Sequence, residues 1–472
     1  MIDLNPPGPV SWICRTLERA GFSTWAVGGA VRDGLAGRPT GDWDLATAAP
    51  PAMIRRLFRR TVPIGIEHGT VGVLARSGVL YEVTTFRRDV ETSGRHAVVA
   101  FAETLDEDLA RRDFTINAVA WHPLRKTIHD PFGGVDDLRL GRLRTVGDPG
   151  ERFSEDYLRI LRALRFAGTY QLEVEPSTWR ALVEAIPRMG TLSPERIREE
   201  MEKILSSHDR PSAALSLYGA SGVLAFLYPE LDAMIGSMGE DHGSGSSEEQ
   251  QPGGAWGLTL LTADVIPRTR WPLRLSALFG KVGLPVRSMG AGETGLPAAQ
   301  RGRHRTAAVL KRLRSSNARI AQVSATVEWG LEPPRADAPE EELRRWLSGV
   351  GRDGLADLCR LWIAECRVRS ARGWWEEDVR SRPAELRELI RRLRRIARSE
   401  VPLSVGELAF SGRDLIRMGY PPGRHFGQLL DHLLERVLED PELNRGDRLA
   451  HEARIWMEQG DGELRGEGRV RG

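Results

Sequence analysis

Residues 24 to 140 alternate short apolar, strand-like runs with glycine and polar punctuation: TWAVGG, DWDLAT, VPIGIEHGTVGVLAR and VLYEVTTFR. A helical stretch, PAMIRRLFRR, stands between the second run and the third. The third and fourth are separated by Ser77 and Gly78. That spacing predicts a hairpin, and hence an antiparallel or mixed sheet and not a doubly wound one. From about Ser154 the period becomes 3.6: Tyr157, Leu158, Leu161 and Leu164 share one apolar face, with Arg159, Arg162 and Arg165 between them. Most of the chain beyond this point keeps a helical period. The pattern therefore predicts an α+β chain, a small mixed β-sheet with flanking helices and then an all-helical remainder.

Two polar, glycine-rich stretches interrupt that remainder. MGEDHGSGSSEEQQPGGAW (238 to 256) reads as a disordered insertion and RSMGAGETGLPAAQRGR (287 to 303) as a flexible link. FGQLLDHLLERVL (426 to 438), bounded by Pro421, Pro422 and Gly423, predicts an amphipathic helix. At 472 residues the chain exceeds what one core organises, so two to four domains are expected, roughly. No apolar run is long enough for a membrane span, and the N-terminus lacks the basic start and apolar stretch of a signal peptide, so a cytoplasmic protein is expected. Cys14, Cys359 and Cys366 form no C-x-x-C pair and no Cys/His cluster with zinc spacing, which reads as reduced thiols. Lysine occurs at Lys126, Lys203, Lys281 and Lys311, and all other side-chain positive charge is arginine. Arginine forks suit phosphates and bases, although a GC-biased genome produces the same excess.

GDWDLAT sets Asp42 and Asp44 one residue apart in a strand-like run. On a strand, side chains at i and i+2 share a face about 6 to 7 Å apart, so both carboxylates converge. Two such charges repel unless a divalent cation sits between them, and magnesium takes carboxylate and phosphate oxygens. A strand edge carrying two solvated acids would look the same. Upstream, AVGGAVRDG runs from a strand into a helix through Gly28 and Gly29, where backbone N–H groups can approach a phosphate, with Arg32 a turn further on. A glycine pair alone is only a turn. Phosphate cradle and acid pair within one strand-helix-strand unit form a more specific signal.

GGAVRDGLAGRPTGDWDLAT resembles the signature of the class II tRNA nucleotidyltransferase and bacterial poly(A) polymerase superfamily. RRDFTINA (111 to 118), DPFGGVDDLRLGRLRTVGDPGERFSEDYLRILRALRFAG (130 to 168) and SPERIREEMEKIL (193 to 205) are similar to its later motifs, in order. The resemblance implies a nucleotidyltransferase catalytic head over residues 1–140, a helical neck with the nucleotide-selecting motif over 141–205, a helical body over 206–400 and a tRNA-binding helical tail over 401–472. LAFSGRDLIRMGYPPGRHFGQLLDHLLERVL (408 to 438) is similar to the tail of the same enzymes.

By the same resemblance Asp42 and Asp44 bind two Mg²⁺ ions, and Glu82 stands where many polymerase-like transferases carry a third carboxylate. An outward-facing strand residue is the other reading of Glu82. Gly28, Gly29 and Arg32 would hold the triphosphate, and Arg112, Asp113 and Asn117 the ribose and phosphates. Asp156 and Arg159, three apart on one helical face, would present an acceptor and a forked donor to the base. Glu195, Arg196 and Glu200 would brace that helix. The implied reaction is attack of an RNA 3′-hydroxyl on the α-phosphate of a nucleotide with loss of pyrophosphate.

PIGIEHGTVGV (63 to 73) resembles the tRNA enzymes more than the poly(A) polymerases, which carry a Gly-Arg-Arg-Phe type stretch there. The implied function is addition of CCA to the tRNA 3′ end from CTP and ATP. The alternatives are CC-only or A-only addition, poly(A) synthesis, or an inactive RNA-binding descendant. By the same resemblance RDVETSGRHAVVAFAETLDEDLA (88 to 110) fills the place of the flexible segment in which CC-only enzymes are usually short, with GRHA where Gly-Arg-Arg-Pro is usual.

Overall fold

The alternating runs become strands in a computed structural model that describes residues 4–65, 68–93, 96–235, 254–284, 293, 295–374 and 382–467. They are β1 (Thr24–Val27), β2 (Asp44–Thr47), β3 (Thr61–Gly65), β4 (Thr70–Leu74), β5 (Leu80–Thr85), β6 (Arg87–Ser93), β7 (His96–Phe101), β8 (Ala120–Trp121) and β9 (Ile128–His129). Seven form one sheet in the order β3-β4-β5-β2-β1-β8-β9, with β2 and β5 parallel and the other neighbours antiparallel. The third apolar run thus supplies two strands. Gly69, at φ +81°, turns the chain between them, a conformation open to glycine at little cost. The hairpin at Ser77 and Gly78 is present, with Gly78 N–H donating to the Ala75 carbonyl.

The two faces of the sheet are covered differently. On one, Leu45, Val71, Val73, Tyr81 and Val83 pack against α1 (Gly8–Arg19), through Val10, Ile13 and Leu17. After α2 (Gly29–Leu35) the chain returns to that face as α3 (Pro51–Leu57), burying Ile54 there. Each such side chain contributes about 1.5–3 kcal/mol by leaving water. On the other face, Val27, Ala46 and Ala120 are covered by Phe86, Leu109 and Ala118, which come from the chain around α4 (Leu105–Ala110). Over β3 and β5 that face stays open, with Val62, Ile64 and Leu80 each more than two-fifths exposed.

Residues 88–110, expected as a flexible segment, form the β6–β7 hairpin and α4. Thr104 and Glu107 close the helix start with a reciprocal capping box. Residues 94 and 95 lie outside the described residues. The helical period then produces α5 (Gly134–Arg139), α6 (Pro149–Glu155), α7 (Leu158–Tyr170), α8 (Pro176–Ala185) and α9 (Pro194–Ser207).

The chain divides into two units, residues 1–232 and 233–472. The second is helical, with Leu343, Leu347, Leu358, Trp362, Leu389 and Leu393 in its main core. The amphipathic helix near the end runs His425–Glu439 and buries Leu429, Leu433 and Val437. Most of the insertion expected at 238–256 lies outside the described residues, and Gly254 begins a helix that reaches Val265. The link expected at 287–303 is corrected in its C-terminal part: 298–303 open the helix Ala298–Arg312. Its buried Arg305 pairs with Glu293 at 2.7 Å. Among the described residues, no helix is long and apolar enough to cross a membrane.

Candidate active site

The sheet register sets a row of residues side by side on the half-open face. Val27 pairs with Asp44, Leu45 with Val83, Gly72 with Glu82 and Val62 with Gly72. Reading across β1, β2, β5, β4 and β3, the row is Val27, Asp44, Glu82, Gly72, Val62, at strand spacings of about 4.8 Å. Asp44 stands where the covered half meets the open half. Glu82 is exposed. The strand begins at Asp44 and not, as its spacing predicted, at Asp42, which precedes it as an exposed residue. Trp43 between them is buried against Trp121, ring centroids 5.8 Å apart, and pins the pair to the sheet edge.

Burial raises the Asp44 carboxyl to about 6, and the Glu82 carboxylate and then Asp42 add to the rise against Arg112, which opposes it. Glu82 therefore belongs electrostatically with the aspartates. Gly28 caps α2 at φ +76°. A Cβ there would lie 3.5 Å from both Asp44 Oδ2 and an Arg112 Nη, so the bare backbone lines the space between carboxylate and guanidinium. Arg112 donates to Asp108 Oδ2 at 3.1 Å and to the Asn117 carbonyl at 3.3 Å. Its buried Nε has no hydrogen-bond partner among the described residues.

Behind this face lies a fully engaged network. Asp113 accepts from Arg162 Nε at 2.7 Å, from Asn117 Nδ2 at 2.8 Å and from the Phe114 N–H at 2.9 Å. Burial pushes its carboxyl up, but Arg162 and these hydrogen bonds hold it at about 2. Asn117 in turn accepts from Arg32 Nη1 at 2.7 Å, and Arg32 Nε donates to the Tyr170 hydroxyl at 2.8 Å. Arg32 also pairs with Asp33 at 3.0 Å, and its guanidinium lies 4.8 Å from the ring centroids of Phe166 and Tyr170. Gly29 lies beside it, a Cβ there falling 3.7 Å from Nη2. Arg32 is thus tied to α7, and the guanidinium beside the carboxylates is that of Arg112.

The helical spacing read for Asp156 and Arg159 is corrected by the structure. Asp156 is extended, φ −155° and ψ 103°, in the break between α6 and α7, and Arg159 lies in the first turn of α7. Asp156 accepts from the Leu158 N–H at 3.1 Å and from Arg196 at 2.6 Å. Arg159 pairs with Glu155 and donates to the Arg152 carbonyl at 2.8 Å. The brace expected from α9 is present: Arg196 holds Asp156, and fully buried Glu200 accepts from Arg165 at 2.7 Å. Asp156 also helps hold the Arg162 guanidinium protonated, after Asp113 and Glu200, which joins the break to the Asp113 network.

Asp42, Asp44 and Glu82 are all-oxygen donors of the kind hard divalent cations take. A different trio, Cys14, Glu18 and His122, brings its potential ligand atoms within 4.8 Å of one another, a spatial cluster that cysteine spacing did not indicate. Its hydrogen bonds do not fit a metal. His122 Nδ1 accepts the Leu124 and Arg125 N–H groups, so Nε2 carries the proton and donates to Glu18 at 2.6 Å. The Cys14 thiol, raised to about 12 by burial and then by Glu18, faces the Thr24 carbonyl. This trio staples α1 to the sheet.

Arg162, Phe166 and Tyr170 were not among the predicted site residues. Their spacing of four along α7 was the available signal. In the second unit the run 389–398 spends its charge within the protein: Arg391 pairs with Glu388, Arg395 with Glu340, and Arg392 donates to the Ala336 and Ala338 carbonyls.

Comparison with known proteins adds a family. The family described as "Poly A polymerase head domain" matches residues 24–144, and "Probable RNA and SrmB-binding site of polymerase A" matches 171–235. The CCA-adding enzyme of Geobacillus stearothermophilus is 32% identical over 441 residues, covering 93% of this chain and 94% of that protein. That of Anoxybacillus flavithermus is 45% identical over 221 residues, 46% of this chain, and the match spans 55% of the relative's length. The Bacillus stearothermophilus CCA-adding enzyme crystallised with CTP superposes with a TM-score of 0.66 at 29% identity, covering 97% of this chain and 98% of that one. The Thermotoga maritima CCA-adding enzyme complexed with tRNA shares the fold at 18% identity, TM-score 0.56, with 97% of each chain covered.

Proposed function

The chain belongs to the family of the CCA-adding enzymes, and on that premise we propose that it completes the 3′ end of tRNA, adding C, C and A in turn from CTP and ATP. The observation that carries this reading is the row of Asp44 and Glu82, with Asp42 beside it, facing Arg112 across the bare backbone of Gly28.

Asp42, Asp44 and Glu82 would hold Mg²⁺, which when bound neutralises phosphate charge and favours an attacking alkoxide. The protein's own residues do the positioning. Gly28 and Gly29 would let the triphosphate approach the start of α2, with the Arg112 guanidinium beside Gly28 as its counter-charge. Asn117, held by Asp113 and Arg32, stays at a fixed place beside the ribose. The 3′-hydroxyl oxygen bonds to the α-phosphorus as the bond to the β-phosphate bridge breaks, and pyrophosphate leaves. Asp156 and Arg159, clamped by Arg196 and Glu155, offer an acceptor and a forked donor to the base edge without a nucleic-acid template. The helical tail, 401–472, would grip the tRNA through its phosphates, with affinity falling as salt rises. Such a substrate suits a cytoplasmic location.

The test is extension of three tRNA transcripts, ending before CCA, after C and after CC, with each labelled nucleotide and Mg²⁺. Two CTP additions and then a single ATP support the reading. A stop after CC, use of ATP alone on the CC-ended transcript, long A tails, or no extension would each overturn it.

A further inference from the structure

The row of the open sheet face does not end at the carboxylates. Directly across from Glu82 is Gly72, and the Ile64 and Leu80 side chains close over it: a Cβ on Gly72 would meet Ile64 Cδ1 at 2.7 Å and Leu80 Cδ1 at 2.9 Å. Val62, the next partner in the row, is 42% exposed, Ile64 41% and Leu80 42%. Three large aliphatic side chains therefore stand open to water on the face that carries Glu82 and Asp44, Val62 in their row and Ile64 and Leu80 beside it. Beyond them the rim is basic. Arg60 and Arg76 are exposed at the strand ends, where the Leu74 N–H meets the Arg60 carbonyl.

We infer that this aliphatic ledge seats the base at the 3′ end of the acceptor RNA, with the basic rim taking the phosphates that precede it. The inference rests on the proposed nucleotidyl transfer, which requires the 3′-hydroxyl at the carboxylates. From there the RNA cannot leave across β1 and β8, because Phe86, Leu109 and Ala118 cover that half. The open half is continuous with the site and offers apolar contact from Leu80 on Glu82's own strand and from Val62 and Ile64 two strands beyond, about 10 Å away, then positive charge. That order, acids for the reacting group, apolar side chains for a base and arginines for phosphates, matches the terminal nucleotide of a single strand. A base needs only its π-face for such a seat, so the ledge accepts any terminal base and suits an acceptor whose last residue changes at every step.

The experiment uses the full chain and an RNA hairpin acceptor, intact or with an abasic 3′-terminal nucleotide. Leu80→Ser and the pair Ile64→Ser/Leu80→Ser are compared with the unaltered protein. With the intact acceptor the variants should lose roughly tenfold in kcat/KM, carried by KM for RNA, while CTP binding and melting temperature stay unchanged. With the abasic acceptor the unaltered protein should show the same loss and the variants no further one. Variants that stay fully sensitive to base removal, or that match the unaltered protein on intact RNA, overturn the ledge while leaving the transferase reading in place. Failure of the unaltered protein to extend intact RNA overturns both. A ledge that instead seats a second copy of the chain would show as dimer in sedimentation that Leu80→Ser converts to monomer with RNA KM unchanged. Leu80→Phe should keep the RNA KM within about twofold, which separates the seat from a general need for leucine.

Discussion

Two groups of carboxylates lie close together in the first unit and are treated in opposite ways. Around Asp113 every charge has a partner: Arg162, Asn117 and a backbone N–H converge on one buried carboxylate and hold it ionised at about 2. Around Asp44, burial and the neighbouring acids raise the carboxyl to about 6, and Arg112 compensates only in part. A compensated charge fixes geometry, whereas an uncompensated cluster stores repulsion that a cation relieves. The first group is where α7 is tied to the sheet, and the second is where the proposed chemistry would be placed.

The difference can be broken most sharply at Asp44. Asp44→Asn should lower the extension rate on the order of 10³-fold or more, as loss of an electrostatic anchor in a transferase does. The same change should stabilise the cation-free protein at pH 7. A carboxyl whose folded pKa exceeds its unfolded value costs stability above that folded pKa, here by up to about 3 kcal/mol from the shift between 3.8 and about 6. Denaturant unfolding in chelator, at pH 4 and pH 7, checks both the size and the sign.

Asp113→Ala should do the reverse. It leaves half-buried Arg162 and buried Asn117 without their acceptor, a loss of about 1–3 kcal/mol read by urea unfolding, with or without cation. Its pH dependence has the opposite sign to that of Asp44. The depressed carboxyl contributes about 2 kcal/mol that is fully present above pH 4 and is lost as pH falls toward 2. An acid titration of the unaltered protein against Asp113→Asn isolates it.

Gly28→Ala tests the space between the two groups. A side chain at φ +76° costs about 1–2 kcal/mol, and the added methyl reaches the Asp44 and Arg112 side chains, so KM for CTP should rise while the melting temperature falls by a few degrees. The smallest effect belongs to the second unit. Arg391 and Glu388 form an exposed pair three residues apart, and Arg391→Ala should change stability by less than about 0.5 kcal/mol, within reach of paired thermal scans.

Much of the acidic group was legible in the chain. Asp42, Asp44 and Gly28 sit in one strand-helix-strand unit read from the residues themselves, Glu82 was implied by the resemblance, and the pairing of β2 with β5 sets Glu82 beside Asp44. The compensated group was not. Arg162 reaches Asp113 across 49 residues and Tyr170 reaches Arg32 across 138, and no local period encodes either contact. The expectation that Asp156 and Arg159 share one helical face was corrected for a related reason. The helical spacing continues through Ser154 to Leu164 in the sequence, but Asp156 leaves the helix, held by the Leu158 N–H and by Arg196 from α9. Tertiary partners overrode local propensity at this break. The excess of arginine has a structural use in the second unit: Arg391, Arg392 and Arg395 contact the protein's own carbonyls and acids.

The face that carries Asp42, Asp44 and Glu82 is under-compensated and awaits a cation. Titrating the Asp44 side-chain carboxyl by carbon NMR, in chelator and again in millimolar Mg²⁺, tests this most directly. The expected midpoint is near 6 in chelator and falls below the usual aspartate value when Mg²⁺ is added. A midpoint near 4 that Mg²⁺ leaves unmoved would contradict it.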